Sequence, residues 1–240
     1  IFEENSVSHP GEPTNDVRLP QLATAEPSSR QQSDILSLAD WRRAVAEMYA
    51  HARNAPQAEQ ALAWQTFRAA RDHLFKRHPQ SPLEPEQRAA FNGLAYYPYD
   101  PDWRVIGAVD ADVPHETLRL QLAADGDFRY TRVARVRFTV CGVEAQLNLF
   151  WIEGYGGGLF LPFKDATTNR GSYGGGRYLY DTIKGADLGA YSDEIVLDFN
   201  YAYNPSCAYS PRWFCPLPPS ENTLPFAVEA GEMDFIPAQL

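Results

Sequence analysis

Apolar residues recur at helical spacing in two segments near the start of the chain. The first segment covers residues 37–53, and the second resumes after Asn54 and Pro56 and runs to His78. The apolar positions are Leu38, Trp41, Val45, Met48, Tyr49, Leu62, Trp64, Phe67, Leu74 and Phe75. The pattern therefore predicts two antiparallel helices joined by a short loop, followed by a short helical turn over residues 86–91.

After Asn92-Gly93 the period of the apolar positions changes. Short segments rich in β-branched or aromatic residues follow, bounded by Gly, Asp, Asn or Pro, which is typical of antiparallel strands. The predicted strands are residues 96–99, 103–109, 117–122, 131–140, 143–151, 158–162, 176–179, 194–199 and 225–229. Strands at this spacing favour a mainly β (α+β) fold, with an antiparallel barrel or sandwich capped by the N-terminal helical hairpin.

The clearest hairpin joins residues 132–140 to residues 143–150 through Cys141-Gly142. Apolar and polar residues alternate in both strands, which places one face in the core and the other in water. The buried set of the second strand is expected to begin at Val143. Opposite charges across the hairpin, such as Arg137 near Glu144 or its neighbour, are expected to favour this register by roughly 0.2–1 kcal/mol per well-placed pair.

Residues 1–33 show neither helical nor strand periodicity. They are polar and rich in Pro, Ser, Glu and Gln, a composition typical of disorder. We predict an extended or disordered tail over residues 1–33, a helical hairpin and connector over 34–92, and a β-rich domain with a Pro/Cys loop over 93–240. A tail of this kind becomes ordered when it docks, so we hypothesise that it contacts protein subunits of a larger assembly.

Composition narrows the class of partner. The chain has 240 residues, of which 44% are hydrophobic, enough to bury one sizeable core. Its formal net charge of -10 argues against nucleic acid or an anionic membrane surface, which are bound by clustered Lys and Arg. The apolar runs are shorter than the ~20 residues that span a bilayer. We expect a soluble chain, cytoplasmic or processed for an organelle or for export, with no nucleic-acid partner and no membrane span.

Four segments, in order, resemble the signatures of the domain-of-unknown-function family 1684. They read FNGLAYYPYDPDWR (residues 91–104), LPFKDATTNRGSYGGGRYL (161–179), VLDFNYAYNPSCAYSPRWFCPLPPSEN (196–222) and FAVEAGE (226–232). The resemblance covers about residues 91–232, and the helical segment before them is similar to the family's short form. Since the family is functionally uncharacterised, the resemblance implies where a site lies and no reaction. Ser172 replaces the family's usual Thr, and Met233 replaces a basic residue.

A glycine-rich segment at residues 173–177 follows several hydroxyl residues and two cations. Glycine lets backbone N–H groups approach an anion closely, and an arginine fork binds carboxylate or phosphate. We therefore hypothesise a site for an anionic small molecule. The segment matches neither a phosphate-binding loop nor a dinucleotide fingerprint, so no cofactor is predicted. The candidate ligand-binding residues are Lys164, Arg170, Tyr173, Gly174, Gly175, Gly176, Arg177, Asn200 and Asn204.

A structural interpretation of the same segment stands beside the functional one. It is a glycine bulge that bends a strand, with Arg177 paired to a buried carboxylate such as Asp198. Asp198 and Asn200 follow the apolar residues 195–197, and alternation directs both side chains inward, where they need hydrogen-bond partners. They form either the floor of a pocket or the anchors of the following loop.

The last candidate feature is the Pro/Cys loop, which lies within residues 198–222. Its prolines exclude a regular helix or central strand from Asn204 onwards, and they are Pro205, Pro211, Pro216, Pro218 and Pro219. A disulfide between Cys207 and Cys215 would contribute roughly 2–3 kcal/mol, and reduced buried thiols are the alternative. A zinc site needs four ligands. Cys207 and Cys215 are separated by seven residues, Cys141 is far from them in sequence and no histidine is near, so no metal is predicted.

Two classes of function stay open. The leading hypothesis is a binding or accessory protein, a subunit of a larger assembly, with a small polar pocket near the glycine-rich strand. The alternative is a hydrolase-like enzyme that acts on an anionic small molecule. Its candidate catalytic residues are Asp198 as base, Arg177 as electrophile or substrate clamp, and Tyr203. An enzyme requires the three to converge on a concave pocket, whereas an accessory protein requires them to pair with one another.

Overall fold

Three α-helices and seven strands make up the computed structural model, which describes residues 29–122 and 126–237. The helices precede the strands along the chain, as the change in apolar period predicts. The helices are α1 Ser29–Asn54, α2 Gln60–Arg77 and α3 Pro85–Ala90. The strands are β1 Arg104–Asp110, β2 Thr117–Leu122, β3 Gly126–Val140, β4 Val143–Ile152, β5 Gly158–Phe163, β6 Arg177–Asp181 and β7 Glu194–Asp198.

The helical hairpin forms because α1 and α2 turn their apolar faces toward each other. Tyr49 packs edge-on against Phe67 with ring centroids 5.0 Å apart, and Trp41 packs against Phe75 at 6.0 Å, so the two helices run antiparallel as predicted. α1 begins at Ser29 rather than near residue 37, because good helix formers continue the helix without an apolar face. Residues 1–28 of the predicted tail lie outside the described residues. The helices of the described part are too short or too polar to cross a membrane.

The strands form one curled antiparallel sheet, a half-barrel. Their order is β6-β5-β4-β3-β1-β7, with β2 paired to β3 off this path. β3 can pair with β1, β2 and β4 because it is 15 residues long and its register with β4 shifts between Arg132 and Ala134. Such an irregularity increases the local twist of a sheet. The predicted fold class, a mainly β sheet with an N-terminal helical segment, is confirmed.

The β3–β4 hairpin turns at Cys141-Gly142, as predicted. Two details of its prediction are wrong. Arg137 forms its ion pair with Asp110 of β1, at 2.7 Å, rather than with Glu144, because β1 supplies a carboxylate on the other side of β3. Val143 was expected in the core and is 44% exposed, because it directly follows the turn.

Two predicted strands, residues 96–99 and 225–229, are not strands in the described structure. Each segment contains a proline, which has no backbone N–H to donate to a neighbouring strand. Each is held by a few isolated hydrogen bonds instead of a continuous ladder. Tyr96 forms an isolated bridge with Glu232, and the Phe226 carbonyl accepts from Ala166 at 3.0 Å. These segments therefore run beside the sheet without extending it.

The core lies between the helical hairpin and the sheet, and the segment that follows β7 joins the two. Phe199 is fully buried and packs edge-on against Trp103 and Phe163, with ring centroids 5.9 and 5.4 Å apart. Tyr201, on the same turn, packs against Phe67 of α2 at 4.9 Å. One turn of chain therefore buries aromatic rings against both the sheet and the helices.

The side chain of Asn222 joins β4 to β5 where their ladder ends. The two strands pair directly only as far as Phe150 and Phe160. Beyond this point the side-chain oxygen of Asn222 accepts from the backbone N–H of Asn148 at 2.9 Å. The side-chain NH₂ of Asn222 donates to the backbone carbonyls of Asn148 at 2.9 Å and Pro162 at 2.8 Å. A side-chain amide thus takes the place of backbone rungs between the separating strands.

Candidate functional site

Arg177 opens β6 and is committed to the fold, with 1% of its surface exposed. Its guanidinium lies 2.8 Å from the carboxylate of Asp165 and donates to three backbone carbonyls of residues 228–232. The predicted buried carboxylate partner exists, but it is Asp165 rather than Asp198. The reason is that Asp165 lies two residues after the end of β5, and β5 pairs with β6. Arg177 therefore fastens the C-terminal segment to the sheet.

The glycine-rich residues 174–176 form the turn that leads into β6. The N–H of Gly176 donates to the Tyr173 carbonyl at 3.0 Å. Gly176 has a φ of +86°, and a Cβ at this position would lie 2.6 Å from the Phe163 carbonyl oxygen. Only glycine permits this backbone conformation and this close approach. The geometry of the turn is thus explained by packing.

The other predicted ligand residues near this turn are dispersed. The Lys164 N–H donates to the Asn222 carbonyl at 2.9 Å, so its backbone belongs to the β5 connection. The side chain of Arg170 is exposed, and the hydroxyl of Tyr173 donates to the carbonyl of Cys207 at 3.3 Å. Arg170 is therefore open to water, whereas the Tyr173 hydroxyl is engaged with the loop at Cys207.

Asp198 and Asn200 are both buried, as alternation predicts, and they anchor the turn after β7. Asn200 donates to Asp198 through its backbone N–H at 3.1 Å and its amide at 2.9 Å, and the amide also reaches the Asp100 carbonyl at 2.8 Å. Arg104 lies 3.5 Å from the second Asp198 oxygen. Burial raises the pKa of Asp198 to about 6, although the hydrogen bonds from Asn200 and the charge of Arg104 act in the opposite direction.

The raised pKa makes the stability depend on pH. Because the pKa of Asp198 is about 6 in the folded chain and near the ordinary 3.8 in the unfolded one, its stabilisation is full below 3.8 and is lost as the pH rises through 6. We expect Asp198→Asn to abolish this dependence. The stability of wild type relative to the variant should fall by roughly 3 kcal/mol between about pH 4 and pH 7. Urea unfolding at a series of pH values measures this, and a pH-independent difference would contradict the assignment.

A second buried ion pair joins α2 to the C-terminal segment. Arg71 lies 3.0 Å from the carboxylate of Glu232, which also accepts from the Tyr209 hydroxyl and from the Asn204 amide at 3.3 Å. Burial and the adjacent Glu232 charge raise the pKa of Tyr209, so its phenol keeps the proton that it donates. Asn204 additionally donates to the Met233 carbonyl at 2.7 Å. We call these four residues, Arg71, Asn204, Tyr209 and Glu232, the Arg71–Glu232 cluster.

A cavity of about 60 Å³ lies beside this cluster, bordered by the helical hairpin and by residues 203–209. Three of its lining residues, Arg71, Tyr203 and Asn204, carry a buried polar atom that has no hydrogen-bond partner within the described part of the chain. These atoms are Nε, Oη and Oδ1, respectively. Lys184 adds a half-exposed ammonium group to the lining, 3.2 Å from Asp181. Since buried polar groups are normally paired, this cavity is suited to a polar molecule.

A wider groove of about 760 Å³ runs over β1, β3 and β4 and includes Ile106, Arg137 and Glu144. It is open, and the charges of Arg137 and Glu144 are in contact with water. Such a surface is common on sheets with one wet face. Volume alone therefore does not make this groove the better candidate.

Sequence reasoning included Asn204 among the ligand residues but missed Arg71 and Glu232. A signal for the first was present, because Arg71 falls on the same helical face as Trp64, Phe67 and Phe75. A cation on the apolar face of a helix indicates a buried partner. The partner could not be identified from spacing, since Arg71 and Glu232 are 161 residues apart.

The thiols of Cys207 and Cys215 lie next to each other, and no disulfide joins the described cysteines. The Tyr173 hydroxyl lies 3.6 Å from the Cys207 sulfur and donates to it. Hydrogen bonds from the Cys215 thiol and from Tyr173 lower the pKa of Cys207 to about 6, against the opposing effect of burial. Whether the pair is a disulfide or two reduced thiols, the two alternatives that the sequence left open, stays a prediction.

Comparison with known proteins agrees with the four sequence segments. The family model described as "Protein of unknown function (DUF1684)" matches residues 89–233, which include all four. The solution NMR structure of an uncharacterized protein from Haloarcula marismortui is 42% identical to this chain with a TM-score of 0.54, over 70% of this chain and 91% of that one. No curated protein matches the chain. The match over more than half of its length means that this chain belongs to the DUF1684 family.

Proposed function

We propose that this protein binds a small molecule rich in hydrogen-bond acceptors, such as a carboxylate, in the cavity beside the Arg71–Glu232 cluster. The observation that carries the proposal is that three residues lining one cavity, Arg71, Tyr203 and Asn204, each carry a buried polar atom without a partner in the described chain. A buried polar group without a partner destabilises a fold by about 1–3 kcal/mol. A ligand that forms hydrogen bonds with these groups would therefore remove this destabilisation, which contributes to its binding free energy.

The chemistry of the lining favours acceptors on the ligand. Arg71 Nε–H and the Lys184 ammonium only donate, the Tyr203 hydroxyl donates or accepts, and Asn204 Oδ1 accepts. The carboxylate of Glu232 is already engaged within the cluster. A carboxylate offers several acceptor positions, and a neighbouring hydroxyl on the same ligand would meet Asn204.

The size of the cavity limits the part of the ligand that is enclosed. A volume of about 60 Å³ corresponds to roughly two water molecules at about 30 Å³ each. Only a carboxylate group with an atom or two attached fits into such a space. A larger ligand would place the rest of its structure past the half-exposed Lys184.

The binding hypothesis has more support than the hydrolase alternative. Among the described residues, Arg177 pairs with Asp165, Asp198 pairs with Asn200, and only Tyr203 borders the cavity. The three candidate catalytic side chains therefore do not converge on one pocket. Docking of the tail on a further subunit stays a prediction, since most of the tail lies outside the described residues.

Replacing Tyr203 by Phe separates ligand binding from folding. The variant removes a buried hydroxyl that has no partner in the described chain, so we expect its stability to be equal to or above that of wild type. Binding of a small carboxylate should weaken by roughly 3- to 10-fold, the effect of losing one hydrogen bond. Titration of the ¹⁵N-labelled chain with formate, acetate and glycolate, followed by NMR at residues 203–209, measures the affinity.

Tyr201→Phe is the matched control. It removes another buried hydroxyl without a described partner, but this residue is outside the cavity lining, so its affinity should equal that of wild type. Acetamide, a neutral molecule of the same shape as acetate, tests the preference for acceptors. Equal binding by all three proteins, or the lack of carboxylate-dependent shifts at residues 203–209, would overturn the proposal and leave ordered water as the occupant.

A further inference from the structure

The two cysteines of the Pro/Cys loop are held from the same side of the fold. Tyr173, just before β6, donates its hydroxyl to Cys207. Tyr178, within β6, donates its hydroxyl to the carbonyl of Pro216, the residue after Cys215. Both ends of the segment that the cysteines bracket are therefore fixed to β6 and the turn before it, which keeps the thiols adjacent in an otherwise irregular loop.

The surroundings of the two thiols are unequal. The Cys207 sulfur receives a hydrogen bond from the Tyr173 hydroxyl, the Cys215 thiol lies next to it, and the positive charge of Lys184 favours its thiolate. Hydrogen-bond donors and cations favour a thiolate, the form of cysteine that acts as a nucleophile. Cys207 is also only partly buried, so a small reagent can reach it. The adjacent Cys215 has the position of a resolving thiol.

We propose that Cys207 and Cys215 form a peroxide-reactive thiol pair, in which Cys207 is the attacking residue and Cys215 the resolving residue. The Cys207 thiolate attacks one oxygen of a hydroperoxide, the O–O bond breaks, and the alkoxide leaves as an alcohol after it takes a proton from solvent. Cys207 becomes a sulfenic acid. The Cys215 sulfur then attacks the Cys207 sulfur, loses its own proton and displaces water, which leaves a disulfide. The hydroperoxide is reduced and the two sulfurs are oxidised.

Cys141 provides an internal reference within the same chain. It is exposed at the β3–β4 turn, and desolvation together with the charges of Asp100 and Asp102 raises the pKa of its thiol. The pKa of Cys207 is instead lowered to about 6. Alkylation of Cys207 should therefore reach its plateau rate near pH 7, whereas the rate at Cys141 should still increase above pH 9.

The test treats the full-length reduced chain with hydrogen peroxide or tert-butyl hydroperoxide, blocks free thiols with iodoacetamide, and determines the intact mass and the peptide map. The expected product has a Cys207–Cys215 disulfide and one alkylated thiol at Cys141. Cys215→Ser should stop at a sulfenic acid on Cys207 that dimedone traps, whereas Cys207→Ser should leave Cys215 reduced. Tyr173→Phe should slow the reaction of Cys207 by roughly two- to five-fold at pH 6, with unchanged circular dichroism.

Three results would overturn the proposal. They are oxidation of Cys141 before Cys207, oxidation of Cys215 at the same rate in Cys207→Ser as in wild type, and an alkylation profile of Cys207 that follows that of Cys141. Cys215→Ala serves as a second resolving-residue variant if Cys215→Ser does not fold. The thiol test uses the chain without added carboxylate, so its failure is distinguishable from a failure of ligand binding, which the Tyr203 and Tyr201 variants measure.

Discussion

Arg177→Ala is expected to lower the free energy of unfolding by about 3–5 kcal/mol, the typical effect of breaking a buried ion pair by removing one partner. The substitution leaves the Asp165 carboxylate buried without its cation, and it also removes the donors to three backbone carbonyls in residues 228–232. Urea unfolding followed by circular dichroism measures the change.

Arg170→Ala is the control for the loss of one positive charge in the same glycine-rich region. Its side chain is exposed, so the free energy of unfolding should change by no more than about 0.5 kcal/mol. If Arg177→Ala kept its stability and instead lost the binding of small anions, the interpretation of Arg177 as a fastener of the fold would be wrong. The glycine-rich turn would then regain its place as the candidate anion site.

Asn222→Ala is expected to destabilise the chain by about 3 kcal/mol or more. The substitution leaves one backbone N–H and two backbone carbonyls without their partner, on Asn148 and Pro162, and each such loss is worth about 1–3 kcal/mol when it is buried. Hydrogen exchange gives a local reading, because the Asn148 amide should lose protection relative to amides in the β3–β4 ladder. Urea unfolding gives the global value.

Two variants bracket this expectation. Glu221→Ala changes the adjacent exposed residue and should be nearly neutral. Asn222→Asp keeps the size and the acceptor oxygen but replaces two donors by a carboxylate oxygen that faces two carbonyls, so it should be at least as destabilising as Asn222→Ala. If Asn222→Asp left the free energy of unfolding unchanged, the side-chain amide would not bridge β4 and β5.

The fold was predictable where one local pattern determines the structure. The helical hairpin follows from apolar spacing, and the β3–β4 hairpin follows from alternation on both sides of Cys141-Gly142. The pairing of charges was not predictable, because it depends on which strands are neighbours. Arg137 pairs across to Asp110 since β1 lies beside β3, an order that no pattern within the hairpin reveals.

The same limit applies to the candidate site. Sequence reasoning required a buried carboxylate for Arg177, but the choice between Asp165 and Asp198 depends on the pairing of β5 with β6. The cavity depends on two segments far apart in the chain, α2 and residues 203–209, so its shape has no local signal. Tyr203 and Asn204 were predicted from their position after the apolar residues 195–197, and both residues line this cavity.

The ion pair of Arg71 and Glu232 connects residues 161 positions apart, and this separation has a consequence for the order of folding. Arg71 leaves the ribosome well before its counter-charge and before residues 228–232, which accept from Arg177. Contacts of such long range slow folding, because a large loop must close before they form. A nascent chain that ends before residue 228 would leave Arg71 without Glu232 and Arg177 without its carbonyl acceptors, so the synthesis of residues 228–232 acts as a checkpoint for completing the fold during translation.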